Sequence, residues 1–324
     1  MILSLMLVVV SGIGAVNAEG TIYIRADGSI EGTDKIQRAG NLYTFLDNIV
    51  VNGLGIHGII VEKDNIVLDG KGHVLQGQQD ETGVGIKLSS ITNVTIKNIE
   101  IKNFSWGISL YDSLQNTISE NTLTNNLVGV HFWAESDSNT ISENVITANE
   151  DGIVIYGSSN FIVGNTITLN SGYGINFFGS SNTIAGNYIA ENGVGVYVDA
   201  NFPFVGSQNN TIYCNNFINN TQQVWDIFWG GSYSVVSLNV WDNNQTGNYW
   251  SNYDGTDMDA DGVGDAPYVI DENNQDSYPL MTQVDLTEIP EFPTWTILPI
   301  LSAITLVALI GKQKLKQNAN KGVI

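Results

Sequence analysis

Between residues 93 and 221 apolar and polar positions alternate with a step of two, and Asn, Gly or Ser cuts the alternation every few residues. A step of two marks a strand with one buried face. The pattern also repeats as a block. The stretch NTISEN begins at Asn116 and again at Asn139. One isoleucine column runs Ile96, Ile118, Ile141, Ile162, Ile184, Ile212, with separations of 22, 23, 21, 22 and 28. A second apolar column lies five residues on, at Ile101, Leu123, Ile146, Ile167, Ile189 and Phe217. Glycines follow at Gly107, Gly129, Gly152, Gly174 and Gly195, and each opens a further alternating run. Every repeat therefore predicts three short strands separated by turns.

Self-similarity at this period predicts a solenoid. A helical solenoid is excluded by the step of two, the β-branched residues and the dense Asn and Gly punctuation. A leucine-rich repeat is excluded because its leucine-dense consensus and helical half are missing. The prediction is all-β: a right-handed parallel β-helix of roughly 22-residue coils, each rising about 4.8 Å. Three asparagine columns fit it, starting at Asn116, Asn121 and Asn126 and recurring once per coil. Asn tolerates the left-handed backbone of tight turns, and stacked amides can hydrogen-bond along the axis.

The organisation expected is a signal peptide at 1–18, an N-terminal cap at 19–46, roughly seven to eight coils over 47–221, a C-terminal cap at 222–283 and a linker at 284–293. Thr294 to Gly311 is an apolar run of 18 residues followed by Lys312, Lys314 and Lys316. It predicts a C-terminal transmembrane helix with a cytoplasmic basic tail at 312–324, so that the body faces outward.

Charge sharpens the picture. The net charge is -21, and without the four lysines beyond the apolar run 8 basic residues stand against 33 acidic ones. Such a body repels nucleic acid and anionic lipid and attracts divalent cations. Cys214 is the only cysteine, so no disulfide staples the chain.

The repeats resemble the NosD-type β-helix, also called the carbohydrate-binding and sugar-hydrolysis repeat, common in archaeal surface proteins. The segment IYIRADGSIEGTDKIQ (Ile22–Gln37) is similar to the N-terminal entry of that set, and GNYWSNYDG (Gly247–Gly255) and GDAPYVIDENNQDSYPLM (Gly264–Met281) to its closing unit. PEFP (Pro290–Pro293) with the apolar run resembles an archaeal sorting tail. The resemblance implies a cell-surface β-helix that recognises glycans; it also brings copper. The residues do not support a copper site, since His57, His73 and His131 are the only histidines and form no ligand-spaced pair with Cys or Met.

Two stretches carry candidate chemistry. Asp257, Asp259, Asp261, Gly262 and Asp265 match the opening of a calcium loop, with the Val263 carbonyl as a further ligand. Tyr268 stands where that pattern has Glu, so Asp271 or Asp254 must complete the shell. Calcium here would pin the cap; the alternative is a solvated acidic turn. The second stretch is an outward column, Tyr111, Trp133, Tyr156, Phe178 and Asp199, flanked on the same face by Ser109, His131, Val154, Asn176 and Tyr197. Rings in a row suit sugar faces, with His131, Asn176 and Tyr197 for hydroxyls. The alternative is that Trp225–Trp250 or a partner chain covers them. Paired acids for a lyase or glycosidase are not evident, and Glu150-Asp151 is expected at a turn. The leading expectation is a membrane-anchored glycan-binding module. The alternatives are a polysaccharide lyase or glycoside hydrolase with an atypical site, and a structural surface-layer or adhesion stalk.

Overall fold

The computed structural model describes residues 20–53, 55–78, 82–201, 205–227 and 237–285. It is an all-β right-handed solenoid of about seven turns. Three parallel sheets, of 10, 10 and 9 strands among the described residues, wrap the axis. Each coil contributes one strand to each sheet. Ile118 pairs in register with Ile96 before it and Ile141 after it, and Ile162, Ile184 and Ile212 continue the row. These side chains are fully buried, as are Ile101, Leu123, Ile146, Ile167, Ile189 and Phe217 of the next sheet. Burying one such side chain contributes about 1.5–3 kcal/mol, too little for a lone coil to offset the ordering of its own backbone. Stacking is therefore obligatory.

The three asparagine columns are ladders inside the corners. Asn165 is representative. Its Oδ1 accepts from Asn144 N at 3.0 Å and Asn144 Nδ2 at 3.0 Å. Its Nδ2 donates to Ile141 O at 2.9 Å, Val163 O at 3.1 Å and Asn187 Oδ1 at 3.0 Å. The left-handed residue at each corner is not the ladder asparagine, as the sequence suggested, but the residue before it. Gln115, Glu120, Asn125, Ala148 and Leu169 all have φ between 55° and 58°. The amide bonds hold the corner, and the preceding residue takes the left-handed conformation whatever its type.

The glycine column has a different cause. A Cβ on Gly129 would lie 2.6 Å from Gly152 O, and one on Gly152 would lie 2.4 Å from Gly174 O. Successive backbones approach too closely there for any side chain.

Parallel pairing continues into both segments expected to be caps. Ile22–Ile24 pairs with Ile59–Val61, and Gln222–Asp226 pairs with Val194–Val198. At the N-terminal end, Ile36–Ala39 and Leu42–Phe45 form an antiparallel hairpin. At the other end Trp250 stacks on Phe217 at 4.2 Å and Tyr268 on Trp250 at 4.2 Å, closing the core with aromatic rings. The ladders also terminate here. Asn248 extends one ladder, and the buried Asp276 ends it, its Oδ2 accepting from Asn248 N at 2.7 Å and Trp250 Nε1 at 2.8 Å. Asn274 extends another and donates to both oxygens of Asp271. At these two ends the last amide N–H meets a carboxylate, an acceptor with nothing to donate, whereas the third ladder passes from Asn220 Nδ2 to Gln223 Oε1 at 2.9 Å.

Among the described residues no helix is long and apolar enough to cross a membrane. The expected signal peptide at 1–18 and transmembrane helix at 294–311 lie outside the described residues.

Candidate functional site

The outer face of one sheet gathers the predicted aromatic column and adds to it. Its strands include Trp106–Tyr111, Val128–Phe132, Asp151–Ile155, Tyr173–Phe177, Val194–Val198 and Gln222–Asp226. The middle outward row runs Ser109, His131, Val154, Asn176, Tyr197, Trp225 in register. The last row carries Tyr111, Trp133, Tyr156, Phe178 and Asp199. Tyr111 and Trp133 are exposed, Tyr156, Phe178, Tyr197 and Asp199 are half-buried, and His131 and Asn176 are buried.

Trp225 was a candidate cover for this stripe. It is instead the next rung after Tyr197 and is itself exposed, whereas Trp241 and Trp250 turn into the core. The sequence reading missed the first outward row, which supplies Trp106, Asp151 and Tyr173. Asp151 was expected at a turn but opens a strand, and its Oδ1 accepts the Tyr173 N–H at 2.8 Å. The signal was present: each of these residues directly precedes a column glycine.

The rings form two groups. In the first, His131 lies against Trp133 at 4.3 Å, Tyr156 at 5.7 Å and Trp106 at 6.1 Å. In the second, Tyr173 and Tyr197 stack at 4.4 Å, and Trp225 meets Tyr197 edge-on at 5.8 Å. Two buried polar atoms within this face have no hydrogen-bond partner, His131 Nδ1 and Asn176 Oδ1. Such atoms are rare in folded proteins, and each orphan costs about 1–3 kcal/mol. Burial pushes the His131 imidazole down to about 4, so it is neutral at physiological pH. Burial pushes Tyr197 up to about 12, with the nearby Asp199 acting in the same direction. Burial also raises the Asp151 carboxyl, against the stabilising bond from Tyr173 N.

The acidic loop is only partly assembled. Asp257, Asp259 and Asp261 bring one oxygen each within 4.8 Å of one another. Asp261 raises the Asp259 carboxyl above its ordinary range by repulsion. Gly262 has φ of 88°, the conformation the sharp turn demands. That group of three does not extend to Asp265, which accepts from Met258 N and Thr256 Oγ1, both at about 3 Å. Asp271 is committed to the Asn273 and Asn274 amides as well as to the ladder end. The Val263 N–H binds Asp261 Oδ1 at 2.8 Å.

This architecture defines a right-handed parallel β-helix with an aromatic outer face. The profile described as "Right handed beta helix region" matches residues 35–187, and that of "Periplasmic copper-binding protein (NosD)" matches residues 136–255. The chain is a NosD-type parallel β-helix repeat protein. The "Probable ABC transporter binding protein NosD" of Pseudomonas aeruginosa is 37% identical over 84 residues, 26% of this chain and 17% of that protein. Its namesake from Stutzerimonas stutzeri is 34% identical over 83 residues, 26% of this chain and 16% of that protein. The match thus spans about a sixth of these relatives. Both are bacterial and do not bear on the resemblance to an archaeal set. Among solved structures, the periplasmic alginate epimerase AlgG aligns over 60% of this chain and 50% of its own, at 18% identity and TM-score 0.45. Pectate lyase Pel9A aligns over 66% of this chain and 68% of its own, at 16% identity and TM-score 0.37. At these identities the likeness is one of fold alone.

The copper in that family's description finds no matching residues here. Among the described residues the one group of three or more His, Cys, Asp or Glu side chains that could hold an ion is the Asp257, Asp259, Asp261 trio. Its hard oxygens suit calcium and not copper.

Proposed function

We propose that the protein is an extracytoplasmic glycan-binding β-helix whose ligand lies along the outer aromatic face from Tyr111 to Trp225. The observation that carries this is the pairing of exposed rings with orphaned polar atoms on one sheet face. Tyr and Trp present broad faces with a polar edge, suited to the C–H faces and hydroxyls of a sugar. His131 Nδ1 and Asn176 Oδ1 sit two coils apart, about 10 Å along the axis. A ligand hydroxyl that reached each, by displacing Trp133 or Tyr197, would remove a standing penalty. An extracytoplasmic location is supported by the matched NosD family, which is described as periplasmic.

The test is a glycan-array screen of the full chain beside Trp133→Ala. Binding lost in the variant supports the reading; no binding by the parent sinks it. The lyase or hydrolase alternative has one observation in its favour, the half-buried Asp151 with its raised carboxyl. New reducing ends released from a bound glycan, lost in Asp151→Asn, would establish it.

We further propose that calcium binds at Asp257, Asp259 and Asp261 and stiffens the closing segment. Calcium at a hundred times its Kd would then add about 2.7 kcal/mol of stability. A chelator should lower the melting temperature of the parent and leave Asp259→Ala unchanged. An identical parent melt with and without chelator removes calcium from the account.

A further inference from the structure

The charge around the aromatic face narrows the ligand. The sequence holds no Lys or Arg between Lys102 and Lys312, so every coil from Phe104 onward is without a permanent cation. The one lysine in the middle outward row, Lys87, pairs with Ser109 and lies four strands from Asn176, about 19 Å away. That exceeds the Debye length of about 8 Å at physiological salt. The neutral His131 adds no positive charge.

Two carboxylates, by contrast, border the second group of rings. Asp151 lies in the first outward row, held by the Tyr173 N–H, and Asp199 ends the last row beside the Tyr197 strand. Both act on the same phenols. Burial, then Asp199 and Asp151, raises Tyr156, and burial, then Asp151 and Asp199, raises Tyr173. Between them lies Asn176, whose orphaned Oδ1 is an acceptor that only an N–H or O–H donor can satisfy. The stacked Tyr173 and Tyr197 rings and the edge-on Trp225 offer negative π faces to a cation.

We propose that this face selects glycans carrying protonated amino groups, such as polymers of non-acetylated hexosamine, and rejects polyuronates. The proposal rests on the glycan-binding reading above. An ammonium brings the donor that Asn176 lacks, the charge that Asp151 and Asp199 favour, and the cation that the rings accept. A uronate brings a carboxylate with nothing to donate into a site with no counter-cation, where two carboxylates already stand.

The experiment is calorimetric titration of the full chain, at mildly acidic pH, with four hexamers: β-1,4-linked glucosamine, its N-acetylated counterpart, a neutral glucan and an oligouronate. The glucosamine hexamer should bind at least about tenfold more tightly than the N-acetylated one. Added salt should erode that preference, and Asp199→Asn should reduce it. The salt series stands on its own if the variant fails to fold. Equal affinity for the two, or tightest binding by the oligouronate, overturns charge selection while leaving glycan binding intact. No binding by any hexamer overturns both.

Discussion

Truncating one ladder rung should be far more damaging than its size suggests. In Asn165→Ala the Asn144 backbone N–H loses its acceptor in a fully buried corner, while Ile141 O loses one of two donors and keeps its pairing with the next strand. The neighbouring amides are less affected. Asn144 Nδ2 keeps Ile118 O at 2.9 Å and Ser142 O at 2.9 Å, and Asn187 Oδ1 keeps Asn165 N at 2.9 Å. One orphaned main-chain N–H gives a loss of about 1–3 kcal/mol, before any void is counted. That is a large part of the 5–15 kcal/mol, roughly, that holds a domain folded. Urea unfolding followed by tryptophan fluorescence would measure it, with Thr166→Ala on the outer surface of the adjoining strand as control, expected to shift by under about 1 kcal/mol. A solenoid can unfold in stages, so coincidence of the fluorescence and circular dichroism transitions must be checked. A loss below about 1 kcal/mol for Asn165→Ala would refute the ladder argument and leave the corners held by backbone pairing alone.

Three further outcomes follow from the geometry. Asp276→Asn keeps the shape but sets an N–H₂ group against the donors Asn248 N, Trp250 Nε1 or Tyr278 N, and should destabilise by about 1–3 kcal/mol; a neutral result would mean the ladder has no required polarity. Leu169→Gly relieves an exposed left-handed residue at a corner type where Gly164 and Gly186 already sit, and should raise the melting temperature by the equivalent of up to about 1 kcal/mol; a fall would show that the leucine side chain is used. The imidazole of His131 is held at about 4 when folded against about 6.5 unfolded, so its contribution, about 3 kcal/mol, is full above the unfolded value and is lost as pH falls toward the folded one. In His131→Gln the fall in stability over that window should be shallower than in the parent, and identical slopes would show that the imidazole is not buried in solution.

The solenoid was legible because its core is written redundantly. One isoleucine per strand per coil fixes register as well as period, and the pairing Ile96 to Ile118 to Ile141 follows directly. The asparagine columns were legible as ladders but misread in backbone conformation, because the composition of turns favours Asn in the left-handed region while here the side-chain bonds decide which residue takes it. Leu169 in that region has no propensity to announce it. The outward column at Tyr111, Trp133 and Tyr156 could be read from alternation. The first outward row could not, because the column glycine and the residue after it both face inward and break the alternation just after Trp106, Asp151 and Tyr173. The orphaned atoms of His131 and Asn176 depend on neighbours from other coils, which no local pattern contains. The acidic loop was legible as three convergent carboxylates, and the structure adds that Asp271 also receives the Asn274 end of a ladder.

The most direct test of the aromatic face as the binding surface is hydroxyl-radical footprinting of the full chain with and without the strongest-binding glycan. The account predicts protection at Trp133, Tyr156 and Tyr197, with Tyr188 and Tyr213 on the other sheets and Met258 in the acidic loop unchanged. Protection confined to those other positions, with the aromatic row still fully reactive, would contradict it.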